Sequence, residues 1–328
     1  VKEMKEIGGY IEFETYYHQM LHSDGIKLNC GRNCLAYLIL ARHIKKITLP
    51  YFMCDSVRDV CKKYGVVVRY YHVDSAFLPE QIELVDDEWL YLMNYYGQMT
   101  IEQIKTYVGK YKRVIVDYAH AYFEEPVPKI DTIYTCRKFF GVSDGAILYT
   151  NAEEPQIEIE KDESYERMRF LMGRFERSAS EFYSESVSNN HIFVDAPIKK
   201  MSKLTCNLLH GIDYKRVKKR RTENFAYLAE HLENVNQLNL RRVEGAFAYP
   251  LMLLDGAEIR KQLIASKIFI SILWPNVLQE LPEDALEYQM VNNILPIPCD
   301  QRYSVADMEY VVDLIEAHIT EVKEGKRN

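Results

Sequence analysis

TIYTCRKFFGVSDGAILYT, residues 132–150, reads as two short strands joined by a turn that carries a lysine between an arginine and two phenylalanines. The second strand, AILYT (146–150), is apolar almost throughout, and so is RVIVD at 113–117. Strands of this kind are buried on both faces, as in a mostly parallel sheet covered by helices. Outward toward the N-terminus, ITLPYF (47–52), VVVRYYHV (66–73) and WLYLMNYY (89–96) are further β-branched or aromatic runs. Between them apolar residues fall at helical spacing over 33–44, 55–64 and 101–111. The alternation predicts an α/β sandwich over about residues 25–155.

Outward toward the C-terminus, Tyr165, Met168, Met172, Phe175, Ala179 and Phe182 recur at spacings of 3, 4, 3, 4 and 3, which predicts one continuous amphipathic helix. SVSNNH (186–191) interrupts the pattern and Pro197 follows, placing a boundary near 190–198. The chain is thus expected to divide into a large domain at 1–192 and a small one at 193–328. Helices over 199–210 and 214–232 open the second part. Strand-like runs AFAYPLMLL (246–254) and IFISIL (268–273) flank a helical segment at 258–266, and a last helix begins near Val305. That order predicts a smaller α+β domain.

The 328 residues, 48% hydrophobic and 27% charged, suffice for one large or two medium cores. With 41 basic and 48 acidic side chains the net charge is −7, which argues against a chain built to grip nucleic acid or an anionic membrane. The basic run KRVKKRR (215–221) reads as a solvated or interface face, with Val217, Phe225 and Leu228 on the buried side of its helix. Seven cysteines, an odd number without zinc-type pairing, predict reduced thiols and no metal site. VKEMKEIGGY at the start lacks the apolar core of a signal peptide, and CLAYLILA (34–41) is too short to span a bilayer, so a soluble cytoplasmic protein is expected. The 25 tyrosines suit clefts and interfaces as well as cores.

Four segments could carry chemistry. Lys138 follows a strand and stands beside Phe139 and Phe140; desolvation there would lower its pKa and make the amine a nucleophile, whereas most lysines are solvated surface charges. Asp117 ends a buried strand at the edge where open α/β sheets place their ligands, and either meets a cationic ring nitrogen or caps a loop. His120 lies three residues on. LNCGRNCLAYLIL (28–40) runs from a glycine straight into a helix, which makes either a phosphate seat or an ordinary turn. In LPYFMCDSV (49–57) Tyr51 and Phe52 end a strand, where an aromatic ring can stack on a flat cofactor or join the core.

Read in order, CGRNCLAYLI, LPYFMCDSV, NYYG (94–97), DYAH (117–120) and YTCRKFFGVSDGAIL resemble the large domain of the DegT/DnrJ/EryC1/StrS aminotransferase family, over about residues 7–150 and more loosely through 199–228. The resemblance implies fold type I, the aspartate-aminotransferase architecture, and pyridoxal 5'-phosphate as cofactor. Lys138 would form the covalent aldimine, Asp117 would pair with the pyridinium nitrogen, and His120 would complete the family's D-x-x-H motif. Thr135, Gly31, Arg32 and Asn33 would cradle the phosphate, and Phe52, or alternatively Tyr51, would stack on the ring. Tyr95, Tyr96 and Arg137 are the candidate substrate contacts. A homodimer is implied, with an amino acid such as glutamate as donor and a keto-sugar nucleotide as acceptor, in amino-sugar or surface-polysaccharide biosynthesis. Three features depart from the family pattern. Only Cys136 and Arg137 separate Thr135 from Lys138, Gly31 is followed by arginine, and no G-Y-N segment is found. These leave a non-catalytic or regulatory relative as the alternative.

Overall fold

The computed structural model describes residues 6–325; residues 1–5, the start of VKEMKEIGGY, and 326–328 lie outside the described residues. Eight strands form one sheet: β1 (Ile26–Leu28), β2 (Lys46–Pro50), β3 (Val67–Val73), β4 (Pro79–Glu80), β5 (Glu88–Met93), β6 (Val114–Asp117), β7 (Asp131–Thr135) and β8 (Ala146–Tyr149). Their spatial order is β1-β8-β7-β6-β5-β2-β3-β4. From β3 through β2, β5 and β6 to β7 the neighbours run parallel, while β8 is antiparallel to both β7 and β1. All four residues of β6 are buried, which explains the unbroken apolar run in the sequence. Three helices connect the early strands: α1 (Gly31–Ala41), α2 (Asp55–Lys63) and α3 (Ile101–Lys110). From β2 the chain passes to β3 on one side and later to β5 on the other, so the order reverses between β2 and β5 and opens a crevice at their carboxyl ends.

The apolar stripe over 165–182 does not form one helix. A single 3-10 turn at Tyr165–Arg167 leads into α4 (Arg169–Glu176), and α5 spans Tyr183–Asp195. Arg177 leaves the helical region (φ −133°, ψ −101°), and Phe182 folds back over Gly173, where a β-carbon would lie 2.4 Å from the ring. SVSNNH, expected to break the helix, lies inside α5 instead. Its asparagines find partners outside the helix: Asn189 donates to the Ser143 carbonyl, and Asn190 accepts from Arg137.

Beyond it come α6 (Lys203–His210), α7 (Tyr214–Leu232), β9 (Tyr249–Met252), α8 (Gly256–Ala265), α9 (Val277–Glu280), α10 (Leu286–Asn293), β10 (Ile294–Ile297) and α11 (Val305–Gly325). IFISIL at 268–273 is not a strand: β9 pairs with β10 instead, Tyr249 opposite Ile297 and Met252 opposite Ile294. One core surrounds the large sheet; a second joins Phe225, Leu228, Leu251, Leu263, Ile297 and Ile315. The cores do not part cleanly at residue 193, because Trp274, Val277 and Met290 return to the first. The basic run of α7 is also divided. Lys218 pairs with Glu244, Lys219 and Arg220 with Glu223, and Arg221 is buried. No helix among the described residues is long and apolar enough to cross a membrane.

Candidate active site

Asp117 closes β6, in register with Met93 of β5 and Ile133 of β7, so it stands at the carboxyl end of the parallel strands. Oδ2 accepts the Tyr91 hydroxyl at 2.8 Å and Oδ1 the Ala119 N–H at 2.7 Å. Burial pushes its pKa up, and the Lys138 charge and these two hydrogen bonds oppose that.

Lys138 ends a single 3-10 turn (Cys136–Lys138) that follows β7 directly. The residue is exposed to water, while protein lies close around its amine. Desolvation lowers its pKa; the negative charge of Asp117 works in the opposite direction. Its Nζ lies 5.6 Å from the centre of the Phe247 ring.

His120 is fully buried, and neither ring nitrogen has a hydrogen-bond partner among the described residues. Phe247 stacks on it at 4.1 Å and 16°, and Trp274 at 5.6 Å and 26°. Burial, and secondarily the Lys138 charge, hold it well below the usual histidine range, so the ring is neutral at physiological pH.

At the other end of the cleft α1 begins. The first turn holds no acidic residue, and while the Arg32 and Asn33 amides face the Cys30 thiol, the Gly31 amide remains available. A β-carbon on Gly31 would lie 2.8 Å from the Thr135 hydroxyl, so glycine leaves a hollow between the helix end and β7. Arg32 and Arg137 border the same corner, both within electrostatic reach of the Cys30 thiol.

These residues fit pyridoxal phosphate at three points. The hollow at the start of α1 suits the phosphate, Asp117 suits a protonated ring nitrogen, and Lys138 suits the carbonyl. The unpartnered His120 nitrogens leave a polar group for a ligand to meet. The ring face differs from expectation. Phe52 is 1% exposed, with Trp274 at 4.5 Å, Tyr95 at 5.2 Å and Phe77 at 6.2 Å around it, so aromatic packing covers it. Tyr51 stacks on Tyr70 and leans on His72, along β3.

Other expected residues serve as supports. Asn33 spends both amide hydrogens, on Asn29 at 2.9 Å and the Pro197 carbonyl at 2.7 Å, so it fixes the turn rather than offering donors to an anion. Tyr95 gives its hydroxyl to the Phe52 carbonyl at 2.6 Å. Tyr96 is buried with φ +51°, its ring 5.2 Å from His120. Neither tyrosine stands open to a substrate in this state. Arg137 donates to Asn190 and lies over the Phe193 ring at 4.7 Å. Residues that the sequence did not single out are Tyr91, Phe247 and Trp274. Tyr91 is one apolar-looking position in a strand, and the other two reach the cleft only through the return of the C-terminal half.

The chain matches no protein-family model and no curated protein sequence. Among solved structures it resembles a DegT DnrJ EryC1 StrS aminotransferase from Brucella abortus (13% identity, TM-score 0.61, 89% of this chain and 85% of that one). NtdA from Bacillus subtilis with bound cofactor PMP is similar as well (13%, TM-score 0.65, 90% and 73%). So is the sugar aminotransferase CalS13 from Micromonospora echinospora (13%, TM-score 0.60, 89% and 86%). At such identities the likeness is one of fold: the chain has the mostly parallel α/β architecture of these aminotransferases.

Proposed function

We propose that the protein is a pyridoxal-phosphate-dependent aminotransferase that moves an amino group from an amino acid such as glutamate to a keto-sugar carried on a nucleotide. The observation that carries this reading is the meeting of Lys138 and Asp117 in one cleft, each shifting the other's charge balance. The bound cofactor supplies an electron sink for the carbanion formed at the substrate. Asp117, steadied by Tyr91 and the Ala119 amide, holds a proton on the ring nitrogen. Lys138 would anchor the cofactor and offer its amine as the base and acid of the site. Gly31, Arg32 and Thr135 would hold the phosphate, and Phe247 and Trp274, stacked on His120, give the site an apolar wall.

The sugar acceptor rests on the fold neighbours. One is DesV of S. venezuelae in complex with a ketimine intermediate, and another is DesI in the presence of its TDP-sugar product. A homodimer is part of the proposal. Ile7, Tyr10 and Ile11 near the N-terminus and Phe175 on α4 are each at least 90% exposed, apolar surface that a second copy would cover. Seven free cysteines accord with a reducing cytoplasm.

The test is chemical. Protein saturated with the cofactor should absorb in the visible, and borohydride should fix the cofactor to the peptide holding Lys138. Lys138→Ala should do neither. Absence of both signals in the wild-type protein overturns the reading.

A further inference from the structure

Three arginines meet where α1 begins. Arg167 and Arg137 lie over the Phe193 ring, at 5.4 Å and 4.7 Å, and Arg32 follows Gly31 in the first turn of α1. Only Arg167 is neutralised, by Asp162 at 2.7 Å. Arg137 is held by the neutral amide of Asn190, and neither it nor Arg32 has an acidic partner within ion-pair distance among the described residues. The nearby Asp144 is already engaged. It takes the Ser202 N–H and hydroxyl at 2.8 Å each, and the Thr205 hydroxyl. Arg32 and Arg137 thus have no ion-pair partner in this partly enclosed corner, where Asp144 opposes the Arg137 charge only from beyond ion-pair distance, beside the first turn of α1 and the Thr135 hydroxyl.

Half-buried cations without an ion-pair partner hold a positive potential that an anion relieves. The low-dielectric surroundings, with Arg32 and Arg167 as like charges nearby, pull the Arg137 pKa down to about 10. Arginine suits such a place because its planar fork matches phosphate oxygens.

We infer that Arg137 and Arg32 together bind the phosphate of the cofactor, so that each chain supplies the full counter-charge of the dianion itself and Arg137 serves the cofactor rather than the substrate. This rests on the aminotransferase reading and extends it. The Asn190 bond and the Phe193 face fix the Arg137 side chain before the ligand arrives, so little rotamer freedom remains to be lost on binding.

The test compares pyridoxal phosphate with pyridoxal, which lacks the phosphate, by equilibrium dialysis against wild type, Arg137→Gln, Arg137→Lys and Arg32→Gln. Each glutamine variant should hold pyridoxal phosphate at least tenfold more weakly and pyridoxal as well as wild type does, and Arg137→Lys should recover part of the loss. Inorganic phosphate should compete with the cofactor in wild type and lose that ability in Arg137→Gln. Undiminished binding of pyridoxal phosphate by Arg137→Gln overturns the inference, as does an equal loss for both ligands, which would mark a structural role. If wild-type protein forms the borohydride-fixed adduct at Lys138 while Arg137→Gln binds normally, only this inference falls. If no adduct forms, the aminotransferase reading falls with it.

Discussion

Tyr91 on β5 gives its hydroxyl to Oδ2 of Asp117 on the neighbouring strand β6, at 2.8 Å, and so holds the carboxylate that faces the cleft. Among the described residues only the Ala119 amide shares that task, on the other oxygen. The bond favours the ionised acid, against the upward push of burial.

Tyr91→Phe should therefore raise the Asp117 pKa further and weaken its hold on a ring proton. A charge-assisted bond contributes about 1.5–3 kcal/mol, so the rate of reaction with glutamate should fall at least about tenfold. Its acid limb should move to higher pH. Stopped-flow absorbance of cofactor-loaded protein measures both, and an unchanged rate and limb would remove Tyr91 from the mechanism.

His120 gives the cofactor-free protein an acid sensitivity. Its folded pKa is depressed, so below the unfolded value of about 6.5 the unfolded chain takes up a proton that the folded chain refuses. Stability is full above that value and falls as pH drops below it. His120→Phe keeps a ring against Phe247 and removes the proton site. Between pH 6.5 and 5.5 it should lose about 1 kcal/mol less than wild type in urea unfolding.

Two glycines in helices should respond in opposite directions. A β-carbon on Gly256 would lie 2.1 Å from the Asn293 carbonyl oxygen, a backbone clash, whereas one on Gly109 meets nothing within 4 Å. Gly256→Ala should cost about 1–3 kcal/mol by overpacking. Gly109→Ala should gain about 0.5–1 kcal/mol from reduced unfolded-state entropy. Urea midpoints at constant slope test the pair.

Arg220 and Arg221 are neighbours with different fates. Arg221 is 2% exposed and donates to the Ala246 carbonyl at 2.8 Å, the Phe139 carbonyl at 3.1 Å and Gln301 at 2.7 Å. Arg221→Ala should cost about 2–4 kcal/mol by leaving buried acceptors unpaired. Arg220→Ala, which loses only a surface pairing with Glu223, should stay within about 0.5 kcal/mol of wild type. Thermal melts of both variants at one protein concentration give the comparison.

The parallel sheet was legible because burial on both faces imposes a continuous apolar run, as in β6, and each run stands close to its helix in sequence. The positions of Asp117, Lys138 and Gly31 at strand and helix ends were legible because local structure sets them. What escaped depends on distant chain. IFISIL is rich in β-branched residues yet has no ladder, because β10 occupies the place beside β9. The stripe over 165–182 turns back on itself at Gly173, where the contact with Phe182 decides the path. Phe52 has the look of a stacking residue until Trp274, more than two hundred positions later, closes over it.

The carbonyl of Phe139, the residue after Lys138, accepts from both Arg221 and Gln301. The turn that carries the Lys138 amine is thus tethered by the C-terminal half of the chain, and the two cannot be exchanged independently. A chimera that grafts the later half of another chain of this fold onto the first 200 residues or so inherits the sheet but loses the tether, and with it the alignment of the amine. Recombination within this architecture would have to carry α7 and the 299–303 loop together with the lysine turn as one heritable unit.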